Sequence, residues 1–232
     1  MRLEKDLAKR SGCSRKQARS WIRRGRVAVD GLVVRDPSTQ TAPGAELALD
    51  GEALVPPPVA VAFHKPEGVQ CTVGDPLGRT SLQETAAPLL AMGLHPVGRL
   101  DADSEGLLLF LADGQLTQRL LHPKHGVEKE YDATVRGPIP EDLDEQLSAG
   151  VATALGVFRA RLVDVASHGD GGVVTLAVTE GKHRMVRRML ANLGLPVQRL
   201  VRRRLGAVEL GELPEGSWRP LSPQELADLV GS

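Results

Sequence analysis

Apolar residues recur at helical spacing through residues 3–10, resume in a second helical stretch after Ser14, and alternate as strands from Val27. Ser14 and Gln17 stand at the spacing of a capping box, in which hydroxyl and side-chain amide each satisfy an orphan backbone amide. Ala18, Trp21 and Ile22 then share one helix face and Arg15, Arg19 and Arg23 another, and Gly25 is placed to stop the helix. Apolar runs at 27–29 and 32–34 flank Asp30-Gly31, the dipeptide best suited to the positive φ angles of a tight hairpin. The pattern predicts a helix–helix–hairpin module over residues 1–55. Val55-Pro56-Pro57-Pro58 then lacks amide donors and fixes φ, which makes it a stiff connector and the expected domain boundary.

Beyond the prolines, strands are expected at 59–63, 106–111, 129–135, 158–165, 173–178 and 197–203. Helices are expected near 81–91, 114–121, 140–149, 182–193 and 222–229. These strands follow no regular βαβ rhythm, so residues 59–232 read as an α+β domain with a mixed, mostly antiparallel sheet.

Composition changes this picture little. With 232 residues, 41% hydrophobic and 25% charged, wholesale disorder is excluded. No run of 18 apolar residues occurs and the opening Met1-Arg2-Leu3-Glu4-Lys5-Asp6 has no apolar leader, so a cytoplasmic protein without a membrane partner is expected. Cys13 and Cys71 form no CxxC pair and the six histidines show no HExxH spacing, so neither a disulfide scaffold nor a metal site is expected. Charge changes it more. The net charge is zero, yet residues 1–35 carry a local +8 and residues 180–204 a local +7. Two basic islands on an acidic body point to a polyanion partner.

Three segments carry candidate chemistry. In Gly98-Arg99-Leu100-Asp101-Ala102-Asp103-Ser104-Glu105, three carboxylates precede an apolar strand, which places Asp101 at a core edge where it needs a cationic partner. From the residues alone, Asp101 pairing with Arg99 in a capped turn is as good a reading, and a Mg²⁺ site at Asp101 and Asp103 is a weaker one. Lys129-Glu130-Tyr131 lies in a strand and holds the chain's single tyrosine, a flat face on which a base can stack. In the helix opened by residues 181–190, Arg187 and Arg188 diverge, one toward the sheet edge and the other toward phosphate.

Together, Lys65-Pro66-Glu67-Gly68, the Gly98-Arg99-Leu100-Asp101-x-Asp103-x-x-Gly106 core, Lys129-x-Tyr131, Gly181-x-x-x-x-Val186-Arg187-Arg188-Met189 and Leu200-x-Arg202 resemble the RsuA-type family of ribosomal RNA pseudouridine synthases. The N-terminal module resembles the S-four-type (alpha-L) RNA-binding domain. The resemblance implies a catalytic Asp101, a base-stacking Tyr131 and an Arg187 that pairs with Asp101. It also implies Arg99, Leu200 and Lys65 at the substrate. The chain departs from the family pattern at His64, where asparagine is common, and at Met185, where glutamine is common.

Such an enzyme breaks the bond between ribose and uracil N1, turns the base and rejoins it through C5. Nothing is oxidised and no group leaves, so no cofactor is expected. The partner implied is ribosomal RNA or a pre-ribosomal particle, acted on by a monomer, with phosphate contacts from Arg15, Lys16, Arg19, Arg23, Arg24, Arg188 and Arg202. Small-subunit RNA is the favoured substrate. Large-subunit RNA, suggested by Asp75-Pro76-x-Gly78-Arg79, and a non-catalytic ribosome-assembly role are the alternatives.

Overall fold

A computed structural model describes residues 1–42, 44–55 and 58–231. The chain divides into two compact units, Met1–Pro58 and Val59–Ser232. Pro56 and Pro57, the centre of the expected connector, lie outside the described residues.

The first unit runs α1 (Leu3–Ser11), α2 (Arg15–Arg23), β1 (Val27–Val29), β2 (Leu32–Val33), β3 (Leu47–Leu49) and β4 (Glu52–Leu54). Ser14 caps α2 by accepting from the Gln17 amide at 3.2 Å, which is the hydroxyl half of the expected box. Asp30 and Gly31 take φ of 48° and 80° and join β1 to β2. Asp50-Gly51 repeats the device between β3 and β4, giving a four-stranded sheet in the order β2-β1-β3-β4. Leu3, Leu7, Ile22, Val27 and Leu47 close a small core of the unit's own.

The second unit opens with β5 (Ala60–Lys65), α3 (Leu82–Thr85), α4 (Ala87–Ala91), β6 (His95–Pro96), β7 (Glu105–Leu111) and α5 (Gly114–Leu121). It continues with β8 (Lys129–Arg136), α6 (Leu143–Ala149), β9 (Val151–Thr153), β10 (Gly156–Phe158), β11 (Arg161–His168) and β12 (Gly171–Val178). It ends with α7 (Met185–Asn192), β13 (Val197–Leu205), β14 (Val208–Glu209), β15 (Trp218–Pro220) and α8 (Pro223–Gly231). Two expected elements are redrawn. The strand placed at 158–165 begins at Arg161, because Phe158 closes the β9–β10 hairpin instead. The single helix placed at 81–91 is two short ones, the first held by a complete Ser81–Glu84 capping box and the second carrying Pro88 in its first turn.

The main sheet has the order β11-β12-β8-β13-β7-β5-β15, and every neighbouring pair is antiparallel except β13 with β7. β7 is buried at every position because both of its faces are covered. Leu107 and Leu109 pack with Leu116, Leu120 and Leu229, whereas Leu108 and Phe110 pack with Phe63 and Leu89. The parallel seam depends on Gly106. A Cβ there would stand 2.5 Å from the Arg202 carbonyl oxygen and 2.7 Å from its nitrogen, and φ is +104°. A glycine is thus needed where the acidic turn enters β7 beside β13.

Candidate active site

Period-two alternation in the sheet builds the floor of the site. Arg202 lies opposite Tyr131 in the β13–β8 register, and Leu200 and Lys129 stand two residues from each along their own strands. All four therefore share one face. They line a cavity of about 520 Å³, whose wall is completed by Arg99, Leu100 and Asp101 from the turn before β7, by residues 179–184, and by Met185 and Val186 of α7.

The turn is held from behind. Lys65 is fully buried, and its ammonium donates to the carbonyls of Pro66 at 2.8 Å and Ser104 at 2.7 Å, with Ala102 at 3.5 Å. Burial lowers its pKa from the usual lysine value, opposed by the nearby Cys71, Asp103, Asp101 and Glu105. Gly68 adds an amide hydrogen bond to the Ala102 carbonyl at 2.7 Å, and the Leu100 amide donates to Cys71 Sγ at 3.3 Å. Burial, against the pull of that amide, raises the Cys71 thiol pKa. The expectation that Lys65 meets the substrate is corrected: its charge is consumed by the backbone that carries Asp101, out of reach of the cavity.

The expected pairing of Arg187 with Asp101 is likewise corrected. Arg187 is buried, and it donates to the Val197 carbonyl at 3.0 Å and to the backbone carbonyl of Asp103. Its Nε stands 3.4 Å from the Asp103 carboxylate, which Arg184 also meets at 2.7 Å. Arg184 is the N-cap of α7 and has a left-handed φ of 55°. The two arginines therefore hold Asp103, and among the described residues no arginine pairs with Asp101. The ion-pair neighbour of Asp101 is His183, Nε2 at 3.9 Å, and not Arg99, which lies exposed at the rim.

Of the residues expected at the site, Asp101, Tyr131, Arg99 and Leu200 share the cavity, and Arg187 stands behind the turn. Arg202 is corrected from a phosphate contact to a cavity residue, since only 3% of its surface is exposed. Arg188 is half-buried on α7. In the first unit Arg15, Lys16, Arg23 and Arg24 are exposed and form no salt bridge among the described residues, whereas Arg19 is paired with Glu4 and, with weaker attraction from Arg2 and Arg15, holds that carboxyl below its ordinary value. His183, Arg184 and Lys129 were missed as site residues. For Lys129 the signal was present, because strand alternation places it on the same face as Tyr131. Of the two departures from the family pattern, His64 bonds the Leu213 carbonyl through Nδ1 at 2.7 Å and does not line the cavity, and Met185 forms part of its apolar wall. Among the described residues no group of three or more His, Cys, Asp or Glu is placed to hold a metal ion, and no helix is long and apolar enough to cross a membrane.

Comparison with known proteins bears on both units. A family model described as RNA pseudouridylate synthase matches residues 59–192, and an S4 domain model matches residues 1–47. Ribosomal small subunit pseudouridine synthase A of Escherichia coli is 36% identical over 99% of this chain and 100% of its own length. Ribosomal large subunit pseudouridine synthase B of Yersinia pestis is 36% identical over 95% of this chain and 72% of its own. A crystal structure of a pseudouridylate synthase superposes with a TM-score of 0.66 at 32% identity, covering 99% of both chains.

Proposed function

The chain belongs to the RNA pseudouridylate synthase family, and from that premise we propose that it isomerises one uridine of small-subunit ribosomal RNA, with Asp101 acting at the sugar–base junction. The observation that carries this reading is the cavity, in which Asp101 and the ring of Tyr131 share one wall and floor while Asp103 and Glu105, the other acids of the same turn, are engaged by arginines. An ionised carboxylate can serve as nucleophile or charge stabiliser there, and Tyr131 offers the flat face a flipped base loses when it leaves the RNA stack. In this scheme Lys65, Arg184 and Arg187 are positioning residues, since they fix the turn and do not touch the reacting atoms.

The match to the small-subunit enzyme over the full length of both chains favours that subunit; the large-subunit relative supports the alternative. Residues 1–55 are assigned RNA binding and residues 59–232 catalysis. The protein works as a monomer in the cytoplasm, where ribosomal particles are assembled, and the unpaired cations of α2 hold phosphate and bring no base specificity.

Pseudouridine mapping of ribosomal RNA from cells with and without the protein tests this. Loss of one small-subunit site is expected, loss of a large-subunit site would reassign the substrate, and an unchanged map would refute the activity. Asp101→Asn, expressed in cells lacking the protein, is expected to leave the site unmodified while RNA affinity stays within about twofold; restored modification would remove Asp101 from its role.

A further inference from the structure

The arginines of β13 divide in an instructive way. Arg199 pairs with Glu105, Arg203 with Asp132 at 3.5 Å, and Arg204 with Glu128 at 2.5 Å and Glu130 at 3.0 Å. Arg202 is more buried than any of these, yet it has no carboxylate partner among the described residues. Its Nε donates to the Leu107 carbonyl at 2.7 Å, but its Nη2 is buried with no hydrogen-bond partner among the described residues. A desolvated guanidinium with an unmet donor is costly, and replacing such a group by an apolar one is often neutral or stabilising. Its retention is explained if a ligand completes it.

The same residue lines the cavity directly opposite Tyr131. A basic neighbour on the same floor, Lys129, is already bound to the Val127 and Thr179 carbonyls at 2.9 and 3.2 Å, and its pKa is lowered by burial first and by the Arg202 charge second. Asp101 and Glu180 are the acids on the cavity wall, and neither pairs with Arg202. The inner cavity thus offers positive charge and a free donor beside a flat ring. A phosphate would meet its cations at the rim, while a carbonyl oxygen on a planar ring fits this place.

We propose that Arg202 receives a carbonyl oxygen of the extruded pyrimidine and stabilises the negative charge that gathers on the ring while it is detached from the sugar. The inference rests on reading the cavity as the uridine site. When the C1′–N1 bond breaks, its electron pair leaves with the base and spreads over N1 and the ring carbonyls. After the ring turns, C5 bonds to C1′, the C5 proton is released and N1 takes up a proton, so the product is an isomer and no external reagent is consumed. A fixed cationic donor is most effective during the anionic interval, so it lowers the barrier more than it strengthens RNA binding.

The test uses the full chain and ribosomal RNA from cells lacking it, with uridine tritiated at C5, and follows single-turnover tritium release. Arg202→Met is expected to slow release about a hundredfold, with RNA affinity within about twofold and a melting temperature equal to or above that of the unsubstituted protein. Arg202→Lys, which restores charge without the planar fork, is expected to recover at least about tenfold of that loss. Should Arg202→Met not fold, Arg202→Gln, which keeps a polar group near the Leu107 carbonyl and removes the charge, is expected to show the same loss. Release by Arg202→Met or Arg202→Gln within about threefold of the unsubstituted rate, or no recovery with lysine, would overturn the assignment of Arg202 alone. Absence of release by the unsubstituted protein would overturn the uridine reading and this inference together.

Discussion

Two carboxylates separated by one residue have opposite fates. Asp103 is met by Arg184 and Arg187 and serves the turn, whereas Asp101 faces the cavity beside His183. Residue type and spacing marked both acids; only the folded turn told which one the arginines hold and which one faces the cavity. At the same scale, Tyr131 is expected to act chiefly through its ring. Tyr131→Phe keeps the stacking face and is expected to retain RNA affinity within about threefold. Tyr131→Ala is expected to lose about 1–3 kcal/mol of binding to RNA carrying the target uridine. Equilibrium binding measured with the two variants decides the matter, and equal losses would show that the hydroxyl, not the face, is what the RNA needs.

Elements position these residues through their ends and seams. The β7–β13 seam needs Gly106, so Gly106→Ala is expected to destabilise the protein by about 2–4 kcal/mol and to reduce activity sharply, because Arg202 and the turn bearing Asp101 flank the same point. Chemical denaturation checks this, and a cost under about 0.5 kcal/mol would show that the seam can relax. The C-terminal helix α8 is tied down by a capping box: the Glu225 amide donates to Ser222 Oγ at 3.1 Å, and the Ser222 amide donates back to the Glu225 carboxylate at 2.8 Å. Arg219 beside that carboxylate, helped by the Ser222 bonds, holds its pKa at about 2 against a usual 4.5. A lowered folded-state pKa gives stability that is complete above the unfolded value and is lost as pH falls from about 4.5 toward 2. The partly exposed pair is screened, so the effect is expected to be below about 1 kcal/mol. Glu225→Gln is therefore expected to lower stability near pH 7 and to show a weaker acid dependence over that window, read from unfolding midpoints across pH.

Across the whole molecule, the two basic islands differ in kind. The first pairs Arg10, Arg19 and Arg26 with carboxylates but leaves Arg15, Lys16, Arg23 and Arg24 exposed with no salt bridge among the described residues, while the second spends Arg184, Arg187, Arg199, Arg203 and Arg204 on carboxylates. Replacing the four uncommitted residues of the first unit by glutamine is expected to weaken RNA binding and to reduce the slope of log affinity against log salt by about 0.7–0.9 per lost phosphate contact. Conversion at saturating RNA is expected to be unchanged, and an unaltered salt slope would place the RNA grip elsewhere. Periodicity and turn chemistry were enough to mark the α2 cap, the Asp30-Gly31 hairpin, the long strands and the mixed sheet, because each depends on neighbours within a few residues. The β3–β4 hairpin carries the same Asp-Gly signal at Asp50-Gly51, but its flanking strands, like β9 and β10, are too short to show a period. Motif order marked Asp101 and Tyr131 as candidates, and the fold places both on one cavity. Which cations partner which acids was a different matter, since the residues concerned lie as far apart as Asp103 and Arg187 or Glu105 and Arg199. Sequence determines the charges and their local faces; only the tertiary fold, by bringing β7, β8, β13 and α7 together, decides which charge is neutralised, which is buried and which is left to meet a ligand.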